Sequence, residues 1–321
     1  MSTVPATRAL GGTRRNRDRI GDRLLFLLTL VAAAAAVAIM VAIAYKVLRG
    51  AELSFRAFGL SFLTGTAWDV NKAAFGAAPG LFGTAVTSLM ALLIAGPLAI
   101  AIGLFLSELA PRGVRGLVGA LVELLAAIPS VVLGLWGILV LGPFVASHIE
   151  PWLHRRLGFI PLFNGDPSSS GIFIAGLVLA IMVVPIVASI CRELFLAVPR
   201  ELEEGALALG ATRWEMVRGV VLSSSRPGIA AALILGLGRA LGEAIAVTQV
   251  IGSGWWIHRS LFDPGDTLAS RIAAQFQGAQ TNLQTSSLFY LAAILLVIGL
   301  VTNLAAQLIV RRFEFQRTGA D

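Results

Sequence analysis

Apolar residues in this chain come in long unbroken runs separated by short polar ones, without the alternation of strands or the one-sided stripe of a surface helix. A bilayer core about 30 Å thick needs about 20 apolar residues at about 1.5 Å each. Six runs are that long: 24–48, 81–106, 117–145, 172–191, 228–252 and 288–310. Lipid satisfies no backbone group, so each is expected to be helical. The third run is long and holds Pro129, which predicts a kink or tilt, and the fourth holds Pro185. Arg14, Arg15, Arg17, Arg19 and Arg23 precede the first run. That run exceeds the roughly 7–15 apolar residues of a cleavable signal core, so it reads as a retained anchor. The fold class expected is an all-α integral membrane protein with six transmembrane helices.

Composition agrees. Of 321 residues, 57% are AVILMFWYC and 13% are charged, about half the share of about 25% in soluble domains. A pair of soluble domains is thereby excluded. The net charge of +7 does not indicate nucleic acid, because the basic residues are scattered among the apolar runs. They instead set orientation. The tail before the first run, Arg112 and Arg115, the group Arg192, Arg200, Arg213, Arg218 and Arg226, and Arg311, Arg312 and Arg317 fall on one side and outnumber those opposite. Positive loops stay inside, so both termini are expected in the cytoplasm. The organisation is then a basic tail over 1–23, a membrane domain over 24–310 and a C-terminal tail over 311–321. The outward connections 49–80, 146–171 and 253–287 carry no catalytic or metal motif. Cys191 is the single cysteine, which excludes an internal disulfide and a cysteine-based zinc site. His148, His154 and His258 have no ligand spacing.

Connection 192–227 is the long cytoplasmic one. Pro199 suits a first helical turn, and Glu201, Glu203 and Glu204 lie where the helix dipole favours acids. Gly210 stands where a helix-ending glycine belongs. Thr212-Arg213-Trp214-Glu215 fits a capping box. Residues 199–221 therefore read as two short helices about a glycine turn. Such a unit either lies on lipid or forms a knob that docks in a partner's groove.

The fifth run holds Gly236-Leu237-Gly238-Arg239-Ala240-Leu241-Gly242-Glu243. The spacing is not that of a nucleotide-binding loop, and no strand precedes it. Gly238 and Gly242 are expected to allow a close helix contact. A charge at the depth of Arg239 must face protein or a water-filled path, and Glu243, one turn on, is placed to pair with it. Either the two form a structural ion pair, or Arg239 contacts an anion on a transport route, where its planar fork suits an oxyanion. Glu123 lies shallower in the third run and reads better as structural.

Glu204-Gly205-Ala206-x-x-x-Gly210, with Val220-x-Leu222 and Pro227-Gly228-Ile229, resembles the EAA loop of ABC-importer permeases. Gly205 replaces the usual alanine, and Ser223 stands where proline is common. The resemblance implies that 199–221 is the coupling helix entering an ATPase subunit, through Glu204, Gly205, Ala206 and Gly210. The runs Phe75–Thr84, Leu106–Pro111, Ala127–Val132 and Arg239–Thr248 resemble the PstC-type permease subunit of phosphate ABC importers, over roughly 20–312. This implies a six-helix permease bundle in the bacterial inner membrane, and phosphate passing Arg239 and Glu243. Glu123, Ser130 and Thr248 are candidates for a secondary stretch of pathway. It also implies a heterodimer with a PstA-type permease, a PstB-type ATPase dimer and an external PstS-type phosphate-binding protein. No cofactor is expected on this chain, with ATP and Mg at the ATPase. The chain has no G-x-x-x-x-G-K-[ST] loop, so it is not itself the ATPase or an enzyme. Three alternatives stay open: a permease for another oxyanion such as sulfate or molybdate, an ion-driven secondary transporter, and a non-transporting scaffold.

Overall fold

The structure is a computed structural model that describes residues 12–318, so the ends of both expected tails, 1–11 and 319–321, lie outside the described residues. Its helices are α1 (Gly12–Phe58), α2 (Ala78–Leu109), α3 (Arg112–Ala127), α4 (Ser130–Leu157), α5 (Ile172–Leu196) and α6 (Arg200–Ala208). Beyond them come α7 (Arg213–Gly242), α8 (Ile245–Val250), α9 (Leu268–Gln275) and α10 (Asn282–Thr318). Strands β1 (Trp68–Asp69) and β2 (Ala74–Phe75) pair antiparallel, with Trp68 opposite Phe75. Among the described residues six helices are long and apolar enough to cross a membrane: α1, α2, α4, α5, α7 and α10.

The chain divides into two compact units at Arg49–Gly50. In the first, Leu24, Phe26, Val31 and Met40 are all exposed. An unbroken run with apolar residues on every side is the pattern of a membrane span.

In the second unit α5 is the centre. Its most apolar window is 78% buried, against 22–33% for the other four spans there, so those four carry the outward apolar faces. Gly236 of α7 makes a close approach possible: a Cβ there would lie 2.8 Å from Val187 and 2.9 Å from Val183 of α5. Within this second unit, residues 54–62 are tied to α10. The Ser54 amide donates to Ser286 at 2.9 Å, and the Tyr290 hydroxyl donates to the Gly59 carbonyl at 3.0 Å. Phe62 stacks on Tyr290 at 4.4 Å.

Two boundaries differ from the hydropathy reading. The third run does not form one kinked helix over 117–145. Ile128 and Pro129 are extended, at ψ 126° and 138°, because the residue before a proline disfavours the helical region. So α3 is separate and the span starts at Ser130. The fifth run is likewise not continuous over 228–252. Its helix begins at Arg213, ends at Gly242 and resumes as α8, with Glu243 extended between them at ψ 118°.

A folded cap lies between α8 and α10. Asp266 and Arg271 are both buried and paired at 2.9 Å. The Arg271 guanidinium lies 4.3 Å from the Trp255 ring centroid and 5.7 Å from that of Trp68. Trp68 Nε1 donates to Gln275 at 2.7 Å, and Leu268 N donates to Thr84 of α2 at 3.0 Å. Burial pushes the Asp266 carboxyl up, and the Arg271 charge opposes this.

The cap presses on α2 at Gly83, where a Cβ would overlap the Asp266 carbonyl oxygen. Gly83→Val is therefore expected to destabilise the chain by about 1–3 kcal/mol. At Gly113 a Cβ meets nothing within 4 Å, so Gly113→Ala should leave the thermal midpoint unchanged or higher. Melting both variants in the same detergent checks the pair.

Candidate functional site

Arg239 stands in the last turn of α7, where the negative end of the helix dipole favours a cation. Its Nη2 lies 3.1 Å from Glu243 Oε2. The two side chains differ sharply in exposure, at 46% for Arg239 and 4% for Glu243. The other oxygen of Glu243 accepts the Ala246 amide at 3.2 Å. One buried carboxylate thus closes the start of α8 and holds the guanidinium at the end of α7. Arg239 keeps its remaining donors on the open side.

Gly238 and Gly242 border the same open side. A Cβ at either would meet nothing within 4 Å. Within this chain the close helix contact is made at Gly236. Gly238 and Gly242 leave bare backbone beside the guanidinium.

The other pathway candidates are distributed. Ser130 opens α4, and one turn on, a Cβ at Gly134 would lie 2.9 Å from Ala246 of α8. The Thr248 hydroxyl donates to the Ala244 carbonyl at 2.6 Å and lies 3.5 Å from the Ser270 carbonyl. Its polar atom is thus used within α8 and toward α9. Glu123 is exposed on α3 and lines a cleft that Arg239 and Glu243 do not line. Sequence reasoning missed Gln249. Its Oε1 is buried without a hydrogen-bond partner on the face of α8 against α4. An amide inside an apolar run was the available signal.

Residues 199–221, the candidate knob, fold as a helix, a glycine turn and a second helix. Gly210 has φ +87°, a left-handed conformation that a side chain adopts at a cost. The Gly210 amide donates to the Leu207 carbonyl at 3.0 Å, and the Ala211 amide to the Ala206 carbonyl at 3.1 Å, which closes α6 as a Schellman turn. The Thr212–Glu215 capping box forms, with the Thr212 amide donating to Glu215 at 2.8 Å. The second expected short helix does not stop at 221. A π turn over Val217–Val221 carries it into α7. Met216, Val217 and Val221 are buried in the same core as α5. Leu202, Leu209 and Trp214 are exposed apolar residues, and Glu204 and Gly205 are exposed with them. Ala206 turns toward the core.

A family model described as the binding-protein-dependent transport system inner membrane component matches residues 97–315. The phosphate transport system permease protein PstC of Xylella fastidiosa strain Temecula1 is 39% identical over 315 residues, covering 97% of each chain. PstC of Mesorhizobium japonicum is 39% identical over 324 residues, covering 100% of this chain and 99% of that one. PstC 2 of Mycobacterium tuberculosis is 42% identical over 321 residues, covering 96% and 98%. Among solved structures, a bacterial ABC transporter involved in import of the acidic polysaccharide alginate has a TM-score of 0.59, at 20% identity, covering 92% of this chain and 98% of its own. The MetNI methionine ABC transporter in an inward-facing form has a TM-score of 0.54, at 20% identity, covering 73% and 94%. The chain belongs to the family of binding-protein-dependent transport system inner membrane components, in its PstC-type branch. It is a multi-pass inner membrane protein with the six-helix fold of ABC-importer permeases.

Glu203 gives a test of how tightly the knob sits. Burial, then the nearby Glu108 carboxylate, raise the Glu203 carboxyl, and Arg200 opposes them. A raised carboxyl means the ionised form is disfavoured in the folded state, so stability falls as pH rises through its folded value. Glu203→Gln should raise the thermal midpoint at pH 7. The gain should vanish below about pH 4, where the unfolded carboxyl is protonated too. Melting curves of both proteins across that range check it.

Proposed function

We propose that this chain is one permease subunit of an ATP-driven importer of inorganic phosphate. The observation that carries the reading is the Arg239–Glu243 arrangement. A guanidinium held on one side by a buried carboxylate presents free donors to an open, glycine-lined surface. The planar fork suits a tetrahedral oxyanion. Glu243 positions Arg239, and the arriving anion competes with it for the guanidinium. Nearly full-length likeness to PstC permeases favours phosphate over sulfate or molybdate.

The working assembly is this chain with a PstA-type permease, a PstB-type ATPase dimer and an external PstS-type phosphate-binding protein. Both termini and the knob face the cytoplasm. ATP and Mg are bound by the ATPase, and this chain holds no cofactor. Closure of the ATPase dimer moves the knob, which docks through Glu204, Gly205, Ala206 and Gly210 and the apolar residues around them. The bundle then opens outward, the binding protein releases phosphate into it, and hydrolysis resets it. The interruption at Glu243 is also what an ion-driven transporter would use at its substrate site. That reading predicts uptake without ATP.

Two sets of variants test the proposal in reconstituted vesicles. Arg239→Gln should reduce phosphate uptake at least about tenfold, and Arg239→Lys should fail substantially because an ammonium lacks the fork. Losing Arg239 also leaves Glu243 buried without a counter-charge, typically at about 3–5 kcal/mol. Adding Glu243→Gln to Arg239→Gln should restore the amount of assembled complex but not uptake. Full flux in that double variant would overturn the pathway role.

Coupling is tested at Gly210. Gly210→Val should leave the chain inserted but abolish ATP-driven uptake, because valine resists the left-handed turn. Normal ATP-driven uptake by this variant removes the coupling role.

A further inference from the structure

A cleft of about 360 Å³ lies where α3 meets the last turns of α5, lined by Arg115, Gly116, Gly119, Ala120, Glu123 and Arg192. It lies at the end of the bundle that carries the knob, and Arg239 does not line it. Two guanidinium groups reach it from different helices. In both, Nε is buried with no hydrogen-bond partner. Arg115 uses Nη2 on the Ser107 carbonyl at 2.5 Å, and Arg192 has a loose contact, at 3.5 Å, with the largely exposed Glu193. Among the described residues neither arginine pairs with Glu123, which sits two turns along α3 from Arg115.

Buried guanidinium nitrogens without acceptors are unfavourable unless something supplies the acceptor. Two positive forks face one space, and the carboxylates beside them, Glu193 in its loose contact with Arg192 and Glu123 in the cleft lining, leave both Nε atoms without an acceptor. Gly116 and Gly119, on the same helix as Arg115, line the cleft without adding a side chain to it. At both Gly116 and Gly119 a Cβ would meet nothing within 4 Å. The space is therefore shaped by missing side chains and not by packing. Glycines in a helix interior are unfavourable by about 1 kcal/mol each relative to alanine, and here they leave volume beside two cations.

We propose that this cleft is a second anion site, for a phosphate group held by Arg115 and Arg192 over the Gly116–Gly119 floor. The chemistry is an oxyanion with several acceptor oxygens, matching forked donors from two directions. Either the phosphodiester of an anionic lipid headgroup or free inorganic phosphate supplies it. Basic pockets between membrane helices at the cytoplasmic face take lipid phosphates in this way. The site is independent of the transport route and of what the importer carries.

The test uses the full chain, co-purified with its partner subunits, in nanodiscs. In one arm, inorganic phosphate is titrated against chloride of equal ionic strength in phosphatidylcholine discs. In the other, phosphatidylglycerol replaces part of the phosphatidylcholine. The thermal midpoint is read in both. At least one arm should stabilise the wild type, and that arm identifies the source. Arg115→Gln with Arg192→Gln should weaken the apparent affinity at least tenfold. Gly119→Leu should do the same while keeping both guanidinium groups and improving helix propensity, so it decides the matter if the double variant does not fold. The double variant Arg239→Gln with Glu243→Gln, which removes both charges of the other site together, should retain the response. The proposal is overturned if neither arm stabilises the wild type, if Gly119→Leu responds in full, or if that double variant assembles but loses the response.

Discussion

A backbone interruption inside an apolar bundle has to find its own hydrogen-bond partners, because lipid supplies none. The Glu243 carboxylate meets that constraint here. It accepts from the Ala246 amide with one oxygen and from Arg239 with the other. Without the carboxylate, the first turn of α8 would lose an acceptor and the guanidinium its anchor. The surroundings depend on that anchoring. α8 packs against α4 at Gly134, and Thr248 points across to α9. The folded cap follows, locked by the Asp266–Arg271 pair and by the Leu268 amide on Thr84.

The knob and the charged pair were the most legible parts of the sequence, for a physical reason. A capping box, a left-handed glycine and a charge pair one turn apart are all set by residues within a few positions of each other. The six spans were legible through composition alone. Boundaries at prolines were not: Ile128-Pro129 reads the same as a kink or as a break between two helices. Which glycines face a neighbour was not legible either, since Gly236, Gly238 and Gly242 share a run and only packing with α5 distinguishes Gly236. The paired arginines of the α3–α5 cleft come from positions 77 residues apart in sequence (115 and 192). No local pattern joins them.

The structure also changes what the knob is. The fifth span does not begin where the apolar run begins. It begins at the Thr212 cap, so the second arm of the knob and the span are one helix. Trp214 of the knob and the guanidinium are thereby carried on the same element, α7, whereas Glu204, Gly205 and Ala206 lie on α6 and Gly210 in the turn between them. Met216, Val217 and Val221 hold the lower part of that helix into the core around α5.

The close contact at Gly236 lies three residues from Arg239 on the same helix, or about 5 Å at 1.5 Å per residue. Sliding or turning of α7 on α5 at that contact would therefore reach the guanidinium almost undiminished. The contact with Glu243 is 3.1 Å long, and a stretch of about 1 Å takes such a contact out of hydrogen-bonding range. A shift on the scale of one side-chain contact at Gly236 would thus be enough to open the ion pair.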